Sequence, residues 1–175
     1  MSVRSCAPPA EAFPRRYDNS VAYADCFVAE ASGLISLGQY VEAFYTTGLF
    51  KAERAVLSLS GRPSTDIQAN KVAAGSGSTF AAWSVEDRAE DQLLLCDVTA
   101  RTRSRFMVAP VPDEVLDRTL LYFGSAITAV RKGKTGRMTI GPAFKALTGF
   151  HVLYSRALLA AAKKRIERSD HQVKP

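Results

Sequence analysis

The chain has 175 residues, 47% of them hydrophobic, with nine Phe and a formal net charge of +6. That length supports one domain with a sizeable core, and the apolar content excludes a chain disordered throughout. The positive balance weakly favours an anionic partner, such as an acidic ligand, nucleic acid or a membrane surface, but an ordinary basic protein carries as much.

Cys6, Cys26 and Cys96 are odd in number, far apart and without a Cys-x-x-Cys pair, which argues against a disulfide framework or a structural zinc site. No apolar region follows Arg4 and no run approaches membrane-spanning length, so neither a signal peptide nor a transmembrane segment is expected. The expected location is cytoplasmic.

In chain order, residues 1–20 hold Pro8, Pro9, Pro14 and Arg15-Arg16 and read as a flexible leader. Val21–Ala31 is the first strand, with Tyr23 and Phe27 available for packing and Asp25 interrupting their face. Ser36 and Gln39 form a capping box ahead of the stripe Leu37, Tyr40, Val41, Phe44 and Tyr45, which Gly48 ends. A second helix over Leu49–Leu59 sets Leu49, Ala52, Val56 and Leu57 on one side and stops at Gly61. Thr65 and Gln68 cap a short third helix, interrupted by Gly75-Ser-Gly-Ser78.

The sheet follows. Thr79–Val85 reads as a strand, Glu86–Asp91 as a charged turn, and Leu93–Val98 with Arg103–Ala109 as a hairpin turning at Thr99–Thr102. A turn centred near Arg101 would set Asp97 opposite Arg105 and Thr99 opposite Arg103. Unbroken alternation would put Leu94, Cys96, Phe106 and Val108 on the packed face, and Arg101, Arg103, Arg105 and Met107 on the other. Asp113–Arg118 is a turn, Thr119–Thr128 a strand, and Arg131–Arg137 a basic loop. A long helix starts near Pro142 and runs to about Arg168, with Phe150, His151, Tyr154, Leu158 and Ala161 on one side. Residues 21–168 form a single domain, and 169–175 read as a flexible tail.

This order predicts an α+β fold: a curved antiparallel sheet packed on a long C-terminal helix, with an additional αα pair after the first strand. The element order over residues 21–167 is joined by the character of Phe80-Ala-Ala-Trp-Ser-Val, Arg103-Ser-Arg-Phe-Met-Val, Thr119-Leu-Leu-Tyr-Phe-Gly-Ser-Ala and Phe150-His-Val-Leu-Tyr-Ser-Arg. On these the chain resembles the START-like, or SRPBCC, helix-grip superfamily. The resemblance implies an apolar ligand held between sheet and helix, and some members are cyclases, hydrolases or oxygenase subunits. About five strands are legible, fewer than the fuller family has, and a missing strand would narrow the cavity.

Within that frame His151, Tyr154 and Ser155 meet on adjoining helical turns. His151 could serve as acid or base, or as a polar anchor; its neighbours Phe150 and Tyr154 equally suit a hydrogen-bonded core histidine. Tyr154 could simply pack its ring, and Ser155 could bond to its own helix. No Ser-His-acid arrangement supports Ser155 as a nucleophile. Arg101, Arg103 and Arg105 with Asp97 form either an anion site or a solvated face of ion pairs, with Trp83 and Tyr122 as a potential aromatic floor.

The expected ligand is an apolar or amphipathic small molecule, anionic if the Arg-bearing face is inward. Its expected contacts are Trp83, Cys96, Arg103, Arg105, Phe106, Tyr122, Phe123, His151, Tyr154 and Ser155. One alternative is a hydrolase or cyclase-like enzyme using His151, Tyr154 and Arg105; another is association with an acidic surface through Arg101, Arg103, Lys132 and Lys134. A nucleic-acid partner is not expected, because one basic strand is too narrow a field. Gly133-Lys134-Thr135 is not a phosphate loop, since Thr128 stands where the first Gly belongs. His151 and His171 are the only histidines, so neither a metal nor another cofactor is expected. The Ala-rich part of the last helix would suit a second copy of the chain or an intramolecular neighbour.

Overall fold

A computed structural model describes residues 2–12, 21–111, 117–128 and 142–173. The basic loop expected at 131–137 and most of the turn expected at 113–118 lie outside the described residues. The elements are β1 (Arg4–Ser5), β2 (Val21–Ser32), α1 (Leu37–Tyr45), α2 (Gly48–Leu59), α3 (Asp66–Ala73), β3 (Thr79–Phe80), β4 (Trp83–Arg88), β5 (Gln92–Asp97), β6 (Thr102–Pro110), β7 (Arg118–Thr128) and α4 (Pro142–Val173). The strands form one curved antiparallel sheet in the order β1-β2-β7-β6-β5-β4-β3, packed on the long α4, with α1 and α2 as the helix pair. This is the expected α+β architecture, with a helix-grip-like shape.

Local chemistry explains the helix boundaries. Ser36 and Thr65 each accept from the backbone N–H three residues on, while Gln39 and Gln68 accept in return from the cap N–H groups. Thr47 caps α2, so Gly48 opens the second helix rather than closing the first. At the far end Gly61, at φ +80°, donates to Ser58 O while Arg62 donates to Leu57 O, a Schellman stop. The buried side of α2 carries Phe50; the expected stripe residues Leu49 and Val56 face solvent instead.

Two segments differ from expectation. Thr79–Val85 is a tight hairpin rather than one strand, turning at Ala81 with φ +52°, and Glu86–Arg88 continue β4. The β5–β6 register pairs Leu94 with Arg105 and Cys96 with Arg103, so Asp97 does not oppose Arg105. Its carboxylate instead accepts from Arg101 N–H, Thr102 N–H and Thr99 O–H and holds the turn. The four-residue connection 98–101 joins strand positions of opposite parity. Leu93 and Leu95 therefore share the core face with Ser104 and Phe106, while Leu94 and Cys96 join Arg103 and Arg105 on the other face.

Cross-strand pairing arranges the inner face in rows. Phe27, Phe123, Phe106 and Leu93 lie abreast on β2, β7, β6 and β5. Phe44 of α1 caps this row, its ring centroid 4.8 Å from both Phe106 and Phe123. The adjacent row is Asp25, Ser125, Ser104 and Leu95, mostly small and polar. Leu158, Leu159, Ala162 and Ile166 seat α4 in the same core.

The outer face is closed by the N-terminal segment, part of the stretch expected as a leader. β1 pairs with β2, Cys6 N–H donates to Cys26 O, and Gln92 Nε2 donates to Glu11 O. Cys6 and Cys26 bring their Sγ atoms within 3.4 Å. The buried Arg105 reaches Cys26 Sγ at 3.3 Å across Gly124, where a Cβ would come within 3.0 Å of the guanidinium and 2.9 Å of Asp25 O. At the other end α4 continues to Val173, beyond the expected limit at 168. Among the described residues no helix is long and apolar enough to cross a membrane.

Phe44→Ala is expected to lower the unfolding free energy by about 3–5 kcal/mol in urea titration, because five ring contacts are lost into a partly collapsible space. A midpoint close to wild type would contradict the central place given to this ring. Mild treatment of the native protein with diamide is expected to remove two free thiols by joining Cys6 to Cys26, leaving Cys96 reduced. A Cys96-containing product in peptide mapping would refute that arrangement of the N-terminal segment.

Candidate functional site

The small row of the sheet leaves space that the helices do not fill. A cavity of about 350 Å³ opens there, within the range of small-molecule sites. Its floor is Thr102, Ser104 and Ser125 beside Phe123, and its walls come from α2 and α4. Phe50, Glu53 and Leu57 follow one face of α2 at i, i+3 and i+7, and His151, Tyr154, Ser155 and Leu158 do the same on α4. Trp83 and Asp97 stand at the β4–β5 side, with the Trp83 ring 5.8 Å from Phe50.

Two polar pairs face this space. His151 Nε2 lies 3.3 Å from Asp25 Oδ2, an ion-pair distance without hydrogen-bond alignment. Asp25 is held in place: Oδ2 accepts from Tyr23 O–H at 3.0 Å and Oδ1 from Ser125 N–H at 2.8 Å. Burial first, then the neighbouring Asp25 carboxylate, push the Tyr23 phenol up to about 12. Edge-on packing of Tyr23 against the imidazole, centroids 6.3 Å apart, completes that pair.

The second pair is Tyr154 and Glu53, with the phenol donating to Glu53 Oε2 at 2.5 Å. Burial raises the Glu53 carboxyl above its ordinary range, against the opposing pull of the Tyr154 hydrogen bond and the His151 charge. Burial and the adjacent Glu53 raise Tyr154 as well, so its proton stays on the phenol. Phe150 stacks on Tyr154 at 5.8 Å with the planes 9° apart, fixing the ring on the cavity side of α4.

The expected contact residues divide between the two faces. Trp83, Phe123, His151, Tyr154 and Ser155 line the cavity, and Phe106 lies in the core beside Phe123. Cys96, Arg103, Arg105 and Tyr122 lie on the opposite face of the sheet, where Arg103 Nε donates to Glu86 and Nη1 to Ala100 O. The trio of His151, Tyr154 and Arg105 is therefore not one site, because the sheet stands between the guanidinium and the imidazole. The surface expected from Arg101, Arg103, Lys132 and Lys134 has its two lysines outside the described residues. Among the described residues no group of three or more His, Cys, Asp or Glu could hold a metal ion.

Glu53 and Asp25 went unassigned in the sequence, although each carried a signal. Glu53 is a carboxylate midway between Phe50 and Leu57 on one helical face, and Asp25 breaks the apolar alternation of β2. Comparison with family models gives no match to this chain, and no curated protein matches it significantly.

Because the folded protein holds the Glu53 proton more tightly than the unfolded chain does, this group favours the fold at low pH. That contribution is fully present below the ordinary value of 4.5 and is lost as pH rises through the raised native value. Urea titrations of wild type and Glu53→Gln across this range are expected to show wild type losing stability relative to the variant as pH increases. Parallel pH profiles would remove the basis for a perturbed Glu53.

Proposed function

We propose that this protein binds an apolar or amphipathic small molecule in the cavity between the sheet and helices α2 and α4. One observation carries this reading: a cavity of about 350 Å³ has mostly apolar and aromatic walls and a few convergent polar groups. The helix-grip-like arrangement supports it, since the curved sheet and α4 leave their gap where Ser104 and Ser125 replace bulk. Aromatic walls supply non-directional affinity, while Glu53, Tyr154 and His151 supply orientation.

Proton-transfer chemistry is the alternative, and it is favoured by the Asp25–His151 contact, which could orient the imidazole toward a bound molecule. In this reading His151 exchanges the proton and Tyr154 donates to a ligand oxygen. It requires His151-dependent turnover of small esters or lactones. Equal rates for wild type and His151→Asn would end it.

A neutral apolar fluorophore, phenylnaphthylamine, is expected to bind wild type with enhanced emission and to quench Trp83, the only tryptophan of the chain. Ser104→Leu fills the cavity floor and is expected to weaken that binding by about tenfold or more, at little cost in stability. No binding by wild type, or unchanged binding by the variant, would overturn the pocket reading.

A further inference from the structure

The cavity has a sign of charge as well as a shape. Among the described residues its lining includes Glu53 and Asp97 and no Arg or Lys. Its one cationisable group, His151, already faces Asp25. Arg103 and Arg105, which would have suited an anion, lie across the sheet. Arg54, one residue from Glu53, points away to Asp66 and Ser64.

The Glu53 carboxylate is not fully committed. Oε2 accepts from Tyr154, Oε1 has no hydrogen-bond donor among the described residues, and burial disfavours the charge at this position. The same cavity is lined by the aromatic rings of Tyr45, Phe50, Trp83 and Tyr154, with the Tyr45 and Phe50 centroids 4.7 Å apart. Aromatic rings beside a partly desolvated carboxylate are the chemistry that recognises an organic ammonium, through ring quadrupoles and a direct ion pair.

Resting on the pocket reading above, we infer that the ligand is an apolar molecule bearing a cationic amine, with the ammonium set against Glu53 and the aromatic walls. Among the described residues an anionic head would meet two carboxylates and no Arg or Lys. A bound ammonium would also relieve the cost of keeping Glu53 charged, so binding and ionisation of this residue reinforce one another.

Three probes of one shape test this through Trp83 fluorescence: benzyltrimethylammonium, its neutral isostere neopentylbenzene, and phenylmethanesulfonate. Wild type is expected to bind the ammonium about tenfold more tightly than the neutral probe and the sulfonate least. Glu53→Gln should erase the gap between ammonium and neutral probe. If the neutral probe or the sulfonate binds at least as tightly as the ammonium, the charge assignment falls and the pocket reading stands. A gap that survives in the variant likewise removes Glu53 from the role. Failure of all three probes to bind would overturn both readings. Should Glu53→Gln lack a native near-ultraviolet circular dichroism spectrum, the comparison of the three probes on wild type decides alone.

Discussion

Packing of the Phe44 ring onto Phe106 and Phe123 is the contact on which the remaining geometry depends. Phe27, Phe123 and Phe106 can lie abreast only because the β2–β7 and β7–β6 registers align them. Large apolar area is removed from water at one place, and α1 is fixed against the sheet there. Tyr40 adds a hydrogen bond to Tyr122 O from the same helix. With α1 anchored, Tyr45 and Phe50 pack edge to face at the corner between α1 and α2. That corner sets the direction of α2, and with it the position of Glu53.

The cavity is the complement of this packing. One register step along the sheet the aromatic row gives way to the shorter side chains of Asp25, Ser125 and Ser104, of which Asp25 meets α4 at His151. A void beside a dense core would ordinarily forfeit dispersion contacts and cost stability. Here polar pairs stand around it, Asp25 with His151 and Glu53 with Tyr154, and burial of their charges adds a further cost. A protein retaining both features holds a local deficit at one spot, as binding sites commonly do.

The two faces of the sheet carry opposite chemistry for a simple steric reason. Gly124 leaves the outer face low enough for the Arg105 guanidinium to lie flat and reach Cys26. The N-terminal segment then covers that face, with β1 extending the sheet edge and Glu11 tied to Gln92. Arg103 and Arg105 are engaged on the outer face, while among the described residues the cavity lining carries Glu53 and Asp97.

The capping boxes at Ser36 and Thr65, the stop at Gly61, the order of helices and strands, and the meeting of His151, Tyr154 and Ser155 on α4 were all legible in the sequence. Each depends on spacing within a few residues, where backbone geometry leaves little choice. The face of α2 was not legible, since Leu49 and Val56 are as apolar as Phe50 and the rings of Phe44, Tyr45, Phe80 and Trp83 around Phe50 select between them. Nor was the assignment of Leu94 and Cys96 to the outer face beside Arg103 and Arg105, because one four-residue connection reverses the parity of everything before it. Local pattern thus determined which elements form and where they end. Only tertiary structure decided what faces the cavity, because a side chain's partners across a sheet are set by register, which one residue's difference in a turn inverts.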